Sequence, residues 1–180
     1  EGEALFIRAY HYFNLVRLFG PVFIVTEPVS AQDAVLYERS SVDKVYSFIE
    51  GDLKKIIDNA LLPDFQPETE LGRATMLSAR TLLGKMYLTL HKYTEAQAQL
   101  SKVEEAYPGY DLSSIDYKDV FSITNEMNKE IIFAVRFKAG NVGLGNPMGN
   151  WFAPLGSESF VISGSGLSWN YPTSTLTKAY

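Results

Sequence analysis

Residues 79–108 read ARTLLGKMYLTLHKYTEAQAQLSKVEEAYP, and their spacing decides the fold. Ala79, Leu82, Leu83, Met86, Tyr87 and Leu90 fall at i, i+3, i+4, i+7, i+8 and i+11, one face of an α-helix. After a short break at His91-Lys92, Tyr93, Ala96, Leu100, Val103 and Tyr107 continue at alternating steps of three and four. Two short amphipathic helices joined by a tight turn form an αα-hairpin.

The hairpin fits the tetratricopeptide template. Leu83, Gly84 and Tyr87 occupy its L-G-x₂-Y core, Ala96 and Leu100 its A-x₃-F positions, and Pro108 closes the unit. Gly84 and Ala96 are small, so the two helices can approach closely. Arg80 departs from the template, which has tryptophan there. One such hairpin cannot bury its own outer face, so at least two more helical pairs are implied.

Working outward, residues 3–21, EALFIRAYHYFNLVRLFGP, predict another helix, with five rings: Phe6, Tyr10, Tyr12, Phe13 and Phe19. A membrane span needs about 20 residues with few charges, and each central charge costs roughly 2.5 kcal/mol or more; Arg8 and Arg17 exclude one. Its polar residues Arg8, His11, Asn14 and Arg17 recur every three positions, a stripe that drifts about 60° per step. Such a helix is touched on several sides, its rings are expected to be core, and His11 is expected to be packed and hydrogen-bonded. Gly20-Pro21 ends it. Ser40-Ser41-Val42-Asp43 marks a further helix start, followed by an apolar stripe from Val42 to Ala60. Lys129–Phe137, KEIIFAVRF, reads as a strand.

The last part of the chain differs. Seven of its thirteen glycines lie after Phe137, together with both tryptophans, which predicts a loop-rich region. The expected organisation is therefore mainly α: tetratricopeptide-like stacked hairpins over residues 1–137 with a short strand, then a glycine- and aromatic-rich loop region over 138–180. The chain opens at Glu1 inside an apparent helix and stops at Tyr180 where another helical pattern begins, as expected for a piece of a longer protein.

Composition narrows the function. Net charge is −5 over 180 residues, whereas nucleic-acid binders carry a basic patch. No cysteine is present, so neither a disulfide nor a thiolate metal site can form in this segment. His11 and His91 are the only histidines, which leaves no histidine-rich metal cluster, and no catalytic or metal residue is assigned. His91, in the helix turn, is expected to face solvent. A glycosidase needs two carboxyl groups facing each other about 5–9.5 Å apart; Glu126, Glu130 and Glu158 have no spacing that selects a pair. Gly143-Leu144-Gly145 and Gly164-Ser165-Gly166 lack the strand–turn–helix setting of a dinucleotide loop and read as turns.

Several stretches together resemble the SusD/RagB family, Bacteroidetes surface lipoproteins that bind nutrients, mainly glycans. They are EALFIRAYHYFNLVRLFG at 3–20; Tyr37-Glu38-Arg39-Ser40-Ser41 with Val45-Tyr46 and Asp52-Leu53; Gly72-Arg73-Ala74-Thr75 leading into the hairpin; Asn128 to Ala134; and Tyr171-Pro172-Thr173 with Leu176 and Ala179-Tyr180. They run in family order across nearly the whole chain. Phe23 departs, since members often carry proline after the first helix. The resemblance implies a much longer protein with an upstream signal peptide and a lipidated cysteine, so that membrane attachment is by a lipid anchor outside this segment. It implies non-catalytic capture of oligosaccharide or polysaccharide at the cell surface, no cofactor, and delivery to a SusC-like TonB-dependent outer-membrane transporter on which the chain sits as a lid.

In that family aromatic platforms on loops usually hold the ligand. The matching chemistry here is Asn150, Trp151, Trp169 and Tyr171: flat rings suit the C–H faces of sugars, and neighbouring amides reach hydroxyls. The alternative is that these rings plug loops onto the scaffold. The alternative function is a tetratricopeptide-type adaptor binding a protein or peptide.

Overall fold

The computed structural model describes residues 1–107, 114–122, 124–138, 148–153, 155, 167 and 178. The chain divides into two compact units, Glu1–Ala134 and Val135–Tyr180. The first holds α1 (Gly2–Phe19), α2 (Ala31–Ala34), α3 (Val42–Asp58), a 3₁₀ turn at Glu68–Glu70, α4 (Met76–Thr89), α5 (Tyr93–Glu105) and α6 (Tyr117–Val120); the second holds α7 (Met148–Phe152).

Helix boundaries follow from local chemistry. Ser41 caps α3, its hydroxyl accepting from Lys44 N at 3.4 Å. Thr75 caps α4 in a reciprocal box: Ser78 N donates to Thr75 Oγ1 at 3.0 Å and Thr75 N donates to Ser78 Oγ at 2.8 Å. Both α3 and α4 end in Schellman turns. Leu61 N bonds Ile56 O across Ala60 (φ 49°), and Lys92 N bonds Tyr87 O across His91 (φ 57°). These left-handed residues are not glycine, and each carries a steric cost.

α1 packs on α3, α3 on α4, and α4 on α5. The core joins Leu5, Phe6, Ala9, Phe13 and Val16 of α1 to Val45, Ile49, Leu53 and Ile56 of α3 and to Ala79, Leu82, Leu83 and Met86 of α4. The hairpin residues behave as the template requires: Leu83, Tyr87 and Ala96 are buried, and Gly84 lies against half-buried Leu100. Pro108 lies outside the described residues. Arg80, in place of the template tryptophan, donates from Nη1 to Gln99 Oε1 at 3.0 Å and so ties α4 to α5.

Two polar contacts fix the helices. Arg8 grips Asp52 with both arms, Nε to Oδ2 at 2.8 Å and Nη2 to Oδ1 at 2.7 Å, with its guanidinium over the Phe48 ring. Asp52 is buried, so this pair removes the cost of an isolated internal carboxylate. Its counterpart is Glu50, which accepts from the Tyr87 hydroxyl at 2.8 Å and from Lys54 at 2.6 Å, with Lys92 at 4.0 Å.

Three expectations are corrected. Residues 129–137 form no strand: among the described residues the only bridge is Val22 with Ser40. A strand needs a neighbour to complete its ladder, and none is present there. The segment instead turns about buried Asn128, whose amide donates to Val120 O and Asn125 O and whose Oδ1 accepts from Glu130 N, each at 3.0 Å. It then lays the Phe133 ring edge-on against Phe6, 4.9 Å between centroids. Within α1, Phe6 and Phe13 are core, but Phe19 is 66% exposed. His11 is exposed as well, beside the Tyr10 ring, whereas the solvent-facing expectation for His91 agrees with its exposed position.

Candidate binding site

The first unit carries a groove of about 370 Å³ between α1, α4 and the 130–133 segment. One wall presents Tyr10, Asn14 and Arg17 at i, i+4 and i+7 of α1, and the other Ser78, Thr81 and Lys85 of α4. Glu130 and Phe133 close it. The Arg17 guanidinium stands 4.9 Å from the centre of the Phe13 ring, a cation–π contact that holds it at the rim. Thr81 donates its hydroxyl to Leu77 O at 2.8 Å, so its oxygen is left as an acceptor. The groove thus mixes rings with amide, ammonium, guanidinium and carboxylate groups, the make-up of a site that orients a polar ligand.

A second concavity of about 340 Å³ lies along α5, lined by Leu100, Val103, Tyr107 and Ile132 with Glu104 and Lys129 at its edge. It is the more apolar of the two. Burial pushes the Tyr107 hydroxyl above its ordinary pKa, so it remains a neutral donor at physiological pH, with its ring edge-on to Phe65 at 5.4 Å.

Among the described residues no three histidine, cysteine, aspartate or glutamate side chains gather to hold a metal. His91 Nδ1 lies 3.0 Å from the Tyr93 hydroxyl on an exposed turn.

In the second unit the sequence-derived candidates Asn150 and Trp151 fall on α7. The Trp151 side chain is 39% exposed and its neighbour Phe152 46%, so two rings reach solvent on consecutive residues. Trp169 and Tyr171 lie outside the described residues. Sequence reading did not single out the α1–α4 groove. Its signal was present as Tyr10, Asn14 and Arg17 on one side of α1 and Thr81 and Lys85 four residues apart on α4, but only the packing of α1 beside α4 unites them.

Residues 1–88 match the SusD-like family described as "Starch-binding associating with outer membrane". A SusD-like protein of Formosa agariphila is 31% identical over 137 residues, which is 76% of this chain and 25% of that protein. A solved laminarin-binding SusD-like protein is 30% identical, with a TM-score of 0.75 over 93% of this chain and 40% of its own. Surface glycan-binding protein A of Bacteroides thetaiotaomicron, solved with laminarihexaose, has a TM-score of 0.76 over 100% of this chain and 39% of its own; at 21% identity this likeness speaks to the fold. The chain spans about a quarter of the length of the curated relatives it matches. Its stacked tetratricopeptide-like hairpins are the architecture of these neighbours. No helix among the described residues is long and apolar enough to cross a membrane. The order of its helices, the capped hairpin and these matches agree: the chain belongs to the SusD-like family.

Proposed function

We propose that this chain supplies the helical scaffold and part of the ligand surface of a non-catalytic glycan-binding protein. The intact protein captures oligosaccharide or polysaccharide at the outer-membrane surface, to which a lipid anchor outside these residues holds it. It passes the glycan to a SusC-like TonB-dependent transporter. The observation that carries this reading is the 30% identical laminarin-binding protein sharing the fold over 93% of the chain. No cofactor or metal is required, because reversible capture needs only complementary surface. Four residues are assigned to the ligand: Trp151 and Trp169 stack on sugar faces, and Asn150 and Tyr171 bond hydroxyls. The exposed Trp151 and Phe152 rings support the α7 half of this assignment.

The test is affinity electrophoresis of the intact protein through gels containing laminarin, starch or xylan. One of these retards the wild type. Trp151→Ala and Trp169→Ala each weaken that binding by at least about 1 kcal/mol, roughly fivefold in Kd, as expected when an anchoring ring is truncated. Arg17→Ala, in the α1–α4 groove, leaves it unchanged. Loss of binding in Arg17→Ala with both tryptophan variants unaffected would move the ligand site to the groove.

A further inference from the structure

The α1–α4 groove gathers polar side chains that have no protein partner. Tyr10, Asn14 and Glu130 line it half-buried. Arg8, Tyr12, Glu50 and Arg80, equally half-buried, are each paired: with Asp52, with the Val25 amide, with Tyr87 and with Gln99. Among the described residues the Tyr10 hydroxyl, the Asn14 amide and the Glu130 carboxylate have no such bond. Nor, among them, does Arg17 or Lys85 have a carboxylate within ion-pair distance. A buried or half-buried polar group gives up hydration and gains when a partner replaces it, so this wall is built to receive one.

These groups surround one position. Phe133 lies at a steep angle to Tyr10, 6.1 Å between centroids, so two rings wall one end of the groove. Arg17 is seven residues further along α1, but its guanidinium lies over the Phe13 ring, turned back along the helix as long side chains are. It therefore shares the level of Phe13, three residues or about 5 Å along the axis from Tyr10, within reach of a single sugar ring. Lys85 enters from the α4 wall. A ring-shaped ligand with one anionic group finds apolar faces for its C–H surface and a fork of N–H donors for its charge.

We infer that the α1–α4 groove binds a uronate unit of an acidic oligosaccharide, its carboxylate held by Arg17 and Lys85 and its ring set against Tyr10 and Phe133. The Asn14 amide and the Glu130 carboxylate take its hydroxyls. Glu130 also limits the charge: a phosphate group brings close to two negative charges and is repelled, whereas one carboxylate is outweighed by two cations. A neutral sugar would leave both cations unpaired. The volume of about 370 Å³ is at the small end of ligand clefts, suited to one unit of a longer chain. The groove thereby adds an acidic-sugar specificity to the glycan capture assigned to Trp151 and Trp169.

The intact protein is titrated calorimetrically with trimers of galacturonate, glucuronate and mannuronate, and with the methyl ester of each trimer that binds. At least one trimer is expected to bind, with an affinity that falls as salt rises. Its ester, the same rings without the charge, binds about tenfold more weakly or worse, the loss expected for a charged hydrogen-bonded group. Arg17→Gln and Lys85→Gln, both at exposed positions, each weaken the acid by about tenfold. Lys102→Gln, which removes the same charge from exposed α5, leaves it unchanged. No binding by any trimer, an ester as tight as its acid, or an equal loss in Lys102→Gln would overturn the inference. Retardation of the wild type by laminarin or starch measures the proposed function separately, so either result can fail without the other.

Discussion

The close approach of α4 to α5 rests on Gly84, and adding one methyl group there tests it quantitatively. A Cβ at this position would stand 2.7 Å from both Cγ and Cδ2 of Leu100, inside any real carbon–carbon contact. Overpacking of this kind costs about 1–3 kcal/mol. Replacing a helical glycine with alanine gains about 1 kcal/mol of propensity. Gly84→Ala is therefore expected to lower stability by about 1 kcal/mol net, although residue type alone predicts a gain. The cycle is closed with Leu100→Ala, which costs about 2 kcal/mol at this half-buried site. In that background the obstructing atoms are gone, and Gly84→Ala should now stabilise by about 1 kcal/mol. The coupling of about 2 kcal/mol is read from urea denaturation followed by circular dichroism at 222 nm. An equal stabilisation by Gly84→Ala in both backgrounds would show that the helices are not in contact there and would refute the reasoning.

Two further predictions follow from the same contacts. Burial pushes the Glu50 carboxyl up, but hydrogen bonds from Lys54 and Tyr87 and the charges of Lys54 and Lys92 outweigh it and hold its pKa below the usual value. A lowered carboxylate stabilises the fold above its unfolded value near 4.5 and loses that contribution as pH falls through its folded value. Wild type should exceed Glu50→Gln by about 1 kcal/mol at pH 7, and the gap should close as pH falls below the unfolded value and through the lowered folded one, as measured by urea midpoints across the acid range. Ala60→Gly and His91→Gly relieve left-handed backbone at φ 49° and 57° and should each raise stability by about 1 kcal/mol. Their separate turns make the gains additive in thermal melts; a loss in either would mean that its side chain contributes more than the strain costs.

The helices were legible because each signal was local. Ser41 before α3, the three- and four-residue steps of α4 and α5, and Gly20-Pro21 after α1 are all settled within a few neighbours, and they reappear in the structure. The strand over 129–137 was misread for the converse reason. Isoleucine, phenylalanine and valine favour extended backbone, but a strand exists only with a partner, which no local pattern reveals. In α1 the drifting polar residues pointed to an inner helix with core rings. The structure divides that reading: Phe6 and Phe13 are core, Arg8 is held by Asp52 forty-four residues away, and Phe19 is exposed. The groove formed by Arg17 and Lys85 was hidden because its residues meet only through tertiary packing, whereas Trp151 was visible as an aromatic in a glycine-rich stretch.

Calorimetric titration of the intact protein with a polysaccharide panel including laminarin and starch, with reducing ends assayed in the same mixtures, tests the central claim most directly. Saturable binding to at least one glycan, with no new reducing ends after prolonged incubation, is the predicted result. Release of reducing ends, or no binding heat from any glycan, would contradict non-catalytic glycan capture.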